Sequence, residues 1–160
     1  RLDGWLAEAR SGLALVVVLD QFPRNVFRGS SLAFAHDEKA LAASRTLIAS
    51  GLDRTASARA IDDRELTPHQ RMVLYLPFQH SEDRSAQVEG VARYEDLLKE
   101  VTSRGAAPAV IDAVTYWLDF ARQHAILIER YGRFPHRNTV LGRATRPDEE
   151  SYLETPGAGF

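Results

Sequence analysis

The sequence predicts an all-α fold, a bundle or stack of antiparallel helical hairpins. Apolar residues recur at helical spacing in five long segments, and short turns marked by proline, glycine or polar residues separate these segments. No pair of segments has the alternating pattern of a β-hairpin. Helices of this length joined by short turns pack as antiparallel neighbours, which is why hairpins are the expected unit.

The first predicted helix runs from Asp3 to about Asp20. We expect it to end before Pro23, because proline disfavours helical geometry in the residue that precedes it. The apolar run from Leu13 to Leu19 leaves a buried strand open as an alternative, since a short β-branched block is ambiguous by periodicity.

The second and third predicted helices have clear start and stop signals. Asp37 is the expected N-cap of the second helix, which ends at Ser50 before a glycine suited to left-handed geometry. A polar loop, residues 53–65, follows. Thr67 then predicts a capped start for the third helix, with proline at the first helical position and glutamine at the capping-box position. Pro77 predicts a kink or an early end.

Two longer amphipathic helices and one short helix complete the chain. The expected buried face of the fourth helix is marked by Val88, Val91, Tyr94 or Glu95, Leu98 and Val101. The fifth runs from about Pro108 to Tyr131 and ends at Gly132. His124 lies on its apolar face and is expected to be a hydrogen-bonded core histidine. A last short helix is expected from Pro147.

Length and composition predict a single helical domain over residues 1–160 and argue against several partner classes. The net charge of −2 provides no basic field for nucleic acid or an anionic membrane, and cysteine is absent. No apolar run approaches the roughly 20 residues that span a bilayer, so the cytoplasm is the default location. Because the chain opens at Arg1 and runs at once into Trp5, we expect a longer natural polypeptide.

Three polar clusters follow helix ends and are the candidate functional segments: residues 20–25, 77–83 and 131–138. Arginine is a forked donor suited to carboxylate or phosphate, so an anion-binding pocket is one interpretation of these clusters. Structural clasps between arginines, helix-end carbonyls and acids are the alternative, and both can hold at once. The candidate ligand-binding residues are Asp20, Arg24, Asn25, His80, Glu82, Asp83, Arg133, His136, Arg137 and Asn138.

The histidines and acids of these clusters could serve acid-base chemistry or bind a metal ion. Their spacing matches no standard metal signature, so we predict no metal site and name no cofactor. Helix capping by Ser81 or Asp83 is a simpler explanation for part of the set. Three aromatic residues beside the clusters, Phe22, Phe78 and Phe134, are expected to lie in the core.

The clusters also carry a resemblance to a family. The chain resembles the bacterial proteins known as domain of unknown function 924 in six blocks: LDQFPRN (19–25), RG (28–29), LYLPF (74–78), HSED (80–83), RFPHRN (133–138) and LGR (141–143). The resemblance implies a helical arrangement similar to tetratricopeptide repeats, and hence a helix for residues 13–19. It implies no established activity. It also implies a further N-terminal helical segment that this sequence lacks.

The leading functional hypothesis is a pocket that binds a small anionic or peptide-like ligand through arginine and histidine side chains. A metal-assisted hydrolase using His80, Glu82 and Asp83 is one alternative. A protein-interaction scaffold with a concave groove is another. Whether the chain is an enzyme, and its oligomeric state, are left open by the sequence.

Overall fold

The structure, a computed structural model, describes residues 3–54 and 65–159. Within these ranges the chain forms six α-helices, three short 3₁₀ turns and no strands, so the all-α prediction is confirmed. Most of the predicted loop at 53–65 lies outside the described residues. The helices are α1 (Ala9–Val26), α2 (Asp37–Ala49), α3 (Pro68–His80), α4 (Arg84–Ser103), α5 (Pro108–Tyr131) and α6 (Pro147–Leu153).

Helix α1 corrects the prediction that the first helix ends before Pro23. The helix continues through this proline to Val26, and Phe27 N donates to the Pro23 carbonyl at 2.9 Å. Proline removes only its own donor, and the packing of α1 against α2 and α3 outweighs the local preference. The extra turn is important for the site, because it places Asp20 and Arg24 one turn apart on the same face.

The ends of α2 and α3 agree with most of the predicted signals. Gly51 has a φ of +72°, and the chain closes α2 with a bond from Leu52 N to the Leu47 carbonyl. The capping box at Thr67 is present in both directions. One detail was wrong: the N-cap of α2 is His36, so Asp37 is the first helical residue. Of the two outcomes expected at Pro77, the early end does not occur, because α3 continues to His80.

The buried face of α4 confirms part of the prediction. Tyr94 and Val101 are buried as expected, but Val88 is 71% exposed, and Leu97, which the pattern did not include, is fully buried. Gly90 lies against α3, where a Cβ at this position would stand 2.6 Å from Cβ of Phe78. The missing side chain lets α3 and α4 approach closely.

Helix α3 is the centre of the fold, since it packs against α1, α2, α4 and α5. Successive helices also pack on each other as the hairpin prediction requires, in the pairs α1–α2, α3–α4 and α4–α5. The likeness to tetratricopeptide repeats stays a prediction. Of the three aromatic residues expected in the core, Phe78 and Phe134 are fully buried, but Phe22 is 57% exposed and that prediction was wrong. None of the described helices combines the length and apolar character needed to cross a membrane.

Candidate functional site

The C-terminal halves of α1 and α3 meet the middle of α5 and the 3₁₀ turn Pro135–Arg137 around one cavity. The cavity has a volume of about 670 Å³ and opens to solvent. The 3₁₀ turn Ser31–Phe34 closes another side. The polar and aromatic side chains that line the cavity include Arg24, Arg28, His80, Trp117, Phe120, His136 and Arg137.

An aspartate–histidine pair lies at the wall of the cavity. Nδ1 of His80 donates to Oδ1 of Asp20 over 2.7 Å, and Asp20 is only 1% exposed. Burial would raise the pKa of Asp20, but His80, Arg24 and Gln21 outweigh burial and hold that pKa at about 2. Burial lowers the pKa of His80, against the opposing effect of Asp20. At neutral pH the neutral imidazole therefore keeps Nε2 as a proton acceptor.

A second acid, Asp37, pairs with two of the arginines that line the cavity. Arg24 lies 2.8 Å from Oδ1 of Asp37, and Arg137 lies 3.3 Å from Oδ2. Arg24 also approaches Asp20 at 3.4 Å. These contacts connect α1, α2 and the turn after α5, so the two arginines are held in place by the fold.

The guanidinium of Arg137 is held between two aromatic rings. Its Cζ lies 4.5 Å from the ring centroids of both Phe34 and Phe134. Arg137 is 6% exposed, and its buried Nε has no hydrogen-bond partner among the residues that the structure describes. Burial, together with the charge of Arg24, lowers the pKa of Arg137 to about 10, so the side chain stays charged at neutral pH.

Two further histidines face the same cavity. Nδ1 of His124 donates to the Phe120 carbonyl at 2.8 Å, which makes Nε2 the unprotonated nitrogen of the neutral ring. Burial lowers the pKa of His124 to about 3. Burial and the charge of Arg137 lower the pKa of His136 to about 4. The cavity thus combines charged arginine donors with neutral imidazoles.

A second cavity, about 760 Å³ in volume, lies on the other side of a shared wall. The shared wall consists of Phe34, His80 and Arg137, which line both cavities. The acidic side chains that line the second cavity are Asp37, Glu38, Glu82 and Asp83.

Two of these acids have structural roles. Glu82 forms a two-pronged ion pair with Arg143, at 2.6 and 3.0 Å, and accepts a bond from Phe134 N at 2.8 Å. Asp83 is the N-cap of α4 and accepts bonds from Ser85. Glu82 is therefore paired with an arginine, whereas Asp83 is hydrogen-bonded as a helix cap but has no ion pair among the described residues. No group of three or more metal-ligating side chains occurs within residues 3–54 and 65–159.

Three predicted site residues do not reach the cavities. Arg133 donates two hydrogen bonds to the Glu149 carboxylate, of 2.7 and 2.8 Å, and Asn138 donates to the same carboxylate. This cluster fixes α6 to the turn after α5, as the clasp interpretation expects. Asn25 is exposed and donates to the Gln21 carbonyl within α1. Six of the remaining seven predicted residues line one of the two cavities, and Asp20 contacts the wall residue His80 without lining either cavity.

Sequence reasoning missed Asp37 and Phe34, which hold the two arginines. Asp37 was interpreted as a helix cap, and its distance in sequence from Arg137 hides their ion pair. His124 was expected in the core, and it is 3% exposed, but it also lines the cavity. Its place on the face of α5 that carries Phe120 was the only available signal.

Comparisons with known proteins give the family. The family model described as "Bacterial protein of unknown function (DUF924)" matches residues 1–157. A solved structure of a protein of unknown function from Agrobacterium tumefaciens is similar, with a TM-score of 0.72 and 37% sequence identity. That match covers 96% of this chain and 72% of the other. A comparison with curated proteins finds no significant match.

Proposed function

Because the chain belongs to the domain of unknown function 924 family, whose description assigns no activity, we propose its function from the site geometry. The protein binds a small molecule that carries a carboxylate or a phosphate. Arg24 and Arg137 bind the anionic group, and the aromatic side chains of α5 and Phe134 contact the apolar part of the molecule.

The observation that carries this proposal is the incomplete pairing of the buried Arg137 side chain. A guanidinium has five N–H donors, yet the single ion pair of Arg137 with a described residue is the 3.3 Å contact with Asp37. Burying a charge is costly unless it is well paired, so an incompletely paired arginine at a cavity wall favours a ligand that completes the pairing. The two aromatic rings restrict the orientation of its guanidinium group.

The lining of the cavity also indicates that the ligand has an apolar portion. Trp117 and Phe120 on α5 and Phe134 after it provide apolar surface, and the neutral imidazoles accept hydrogen bonds. An anion with an apolar portion fits this lining better than a bare inorganic ion does.

The test uses hexanoate and acetate as carboxylate probes and inorganic phosphate as a third, measured by isothermal titration calorimetry at low salt. We expect hexanoate to bind more tightly than acetate. Since a charge-assisted hydrogen bond contributes about 1.5–3 kcal/mol, Arg24→Gln should weaken hexanoate binding roughly tenfold or more. Arg137→Lys keeps the charge but loses the fork, and it should weaken binding as well.

Arg122→Gln is the matched control, because Arg122 is an exposed arginine on α5 that pairs with Glu95 and Asp119 away from both cavities. Its hexanoate affinity should equal that of the unaltered protein. Failure of all three probes to bind at millimolar concentration would falsify the proposal, and so would equal binding by Arg24→Gln, Arg137→Lys and the unaltered protein.

The two alternative functions have weaker grounds. A metal-assisted hydrolase would need Glu82 and Asp83 as ligands, and both are bound to other groups. A protein-interaction scaffold would find an exposed apolar stripe on α1, formed by Val18, Phe22 and Val26. Loss of a captured partner in Phe22→Ser, with Arg24→Gln still binding that partner, would favour the scaffold.

A further inference from the structure

We propose that the natural ligand is dipolar: its anionic group lies in the first cavity and a cationic group, such as an ammonium, lies in the second. This inference rests on the proposed anion binding and adds the chemistry at the other end of the ligand. It follows from the way charge is divided between the two cavities.

The lining of the first cavity contains three arginines and, among the described residues, no acid. Asp20 stands behind His80 and does not line it. The second cavity has four acids and two arginines. Two neighbouring cavities with opposite lining charges complement a molecule that has opposite charges at its ends.

The ion pairs within the site sharpen this contrast. Arg24 pairs with Asp20 and Asp37, and Arg137 pairs with Asp37. Arg45 in the second cavity pairs with Glu89 at 3.0 Å. Three charged lining residues remain without an ion pair among the described residues: Arg28 in the first cavity, and Glu38 and Asp83 in the second. The uncompensated charges of the two cavities therefore have opposite signs.

A separate observation connects the cavities. Arg137 belongs to both linings, is 6% exposed, and has a buried Nε without a partner among the residues described. A ligand that passes Arg137 contacts both compartments. The acids of the second cavity alone would indicate only a solvated surface; together with this shared arginine they indicate one elongated site.

The direction of the ligand follows from the same charges. Its anion is expected near Arg24 and Arg137, with Arg28 as a further cation of the same cavity. Its apolar middle is expected next to Phe34 and His80. Its cation is expected near Glu38 and Asp83. The chemical class is a zwitterion with separated charges, such as an ω-amino acid or a short peptide.

The experiment compares three probes of one chain length by calorimetry: hexanoate, 6-aminohexanoate and hexylammonium. The same measurement is then repeated with matched pairs of other chain lengths, from 4-aminobutyrate with butyrate to 8-aminooctanoate with octanoate. The pair with the largest difference in affinity identifies the ligand length that spans both cavities. At the best length, the amino acid should bind about twofold to fivefold more tightly than the matching alkanoate, as expected for partly exposed ion pairs. Hexylammonium should bind most weakly.

Charge-neutralising variants test the assignment of the two ends. Glu38→Gln combined with Asp83→Asn should remove the advantage of the amino acid, and asparagine keeps the helix cap at position 83. Asp112→Asn, an exposed acid on α5 outside both cavities, controls for the change in net charge. It should leave the ratio of the two affinities unaltered.

The outcomes separate this inference from the proposed function. If alkanoates bind and no amino homologue of any length binds more tightly, the dipolar ligand is wrong while anion recognition stands. If the advantage persists in the double variant, the second cavity does not hold the cation and the inference is overturned. If none of the probes binds, both proposals fail together.

Discussion

The Asp20 carboxylate and the His80 imidazole, sixty residues apart in the chain, are joined by a hydrogen bond of 2.7 Å at the wall of the cavity. The aspartate is almost fully buried and also faces Arg24. The pair therefore connects α1 to α3 and fixes which nitrogen of His80 faces the ligand. A bond that both orients a site residue and joins two helices has consequences for stability as well as binding.

Asp20→Asn should destabilise the fold. The amide cannot compensate the charges that face it, and breaking a buried charged pair costs about 3 kcal/mol in comparable cases. Urea denaturation at pH 7 measures this loss in the free energy of unfolding. Asp96→Asn is the control, since Asp96 forms an exposed pair with Lys99 and should change stability by about 0.5 kcal/mol or less. Equal stability of both variants would show that Asp20 is dispensable.

The protein should lose stability as the pH falls from about 6.5 to 4. The folded-state pKa values of His124 and His136, about 3 and about 4, lie below the usual value of 6.5. The unfolded chain therefore binds protons first, and protonation favours unfolding throughout this window. The carboxylate of Asp20, with a pKa near 2, adds a further loss below about pH 4.

Urea denaturation at unit steps of pH tests the histidine contribution. Each buried neutral histidine contributes up to about 1.4 kcal/mol per pH unit to the slope, so His124→Gln should reduce the slope between pH 6 and 5. His69→Gln, at an exposed position on α3, should leave it unchanged. A stability that stays constant from pH 7 to 4 would contradict the burial of neutral imidazoles.

Arg133 and Arg137 should respond differently to substitution, although they are four residues apart in the same predicted motif. Arg133 forms an ion pair with Glu149 and donates to the Ala144 carbonyl, and both contacts lie outside the two cavities. Arg133→Gln should therefore lower the urea midpoint and leave hexanoate affinity unchanged. Arg137→Lys should weaken hexanoate binding by more than it lowers the midpoint. Calorimetry and denaturation on the same samples give both values, and loss of hexanoate binding in Arg133→Gln would remove the distinction between clasp and ligand site.

The helices were predictable from the sequence because their signals are local. The capping box at Thr67 and the left-handed glycine at Gly132 each depend on a few adjacent residues, and both are present. The end of α1 was not predictable, because packing outweighs the local effect of Pro23. The same limit applies to the site: Arg24 and Arg137 follow from motif chemistry, but their common partner Asp37 depends on contacts between distant parts of the chain.

Gly90→Ala should destabilise the fold, although alanine favours a helix by up to about 1 kcal/mol over glycine. The added Cβ would meet Cβ of Phe78 at 2.6 Å. That atom is anchored to the backbone of α3 and cannot swing away, so the helices must separate. Overpacking of this kind costs about 1–3 kcal/mol, which leaves a net loss of roughly 1 kcal/mol. Val88→Ala, at a position 71% exposed on the same helix, should change stability by about 0.5 kcal/mol or less. Urea denaturation of both variants compares them directly, and a Gly90→Ala protein more stable than its parent would show that α3 and α4 are not in close contact.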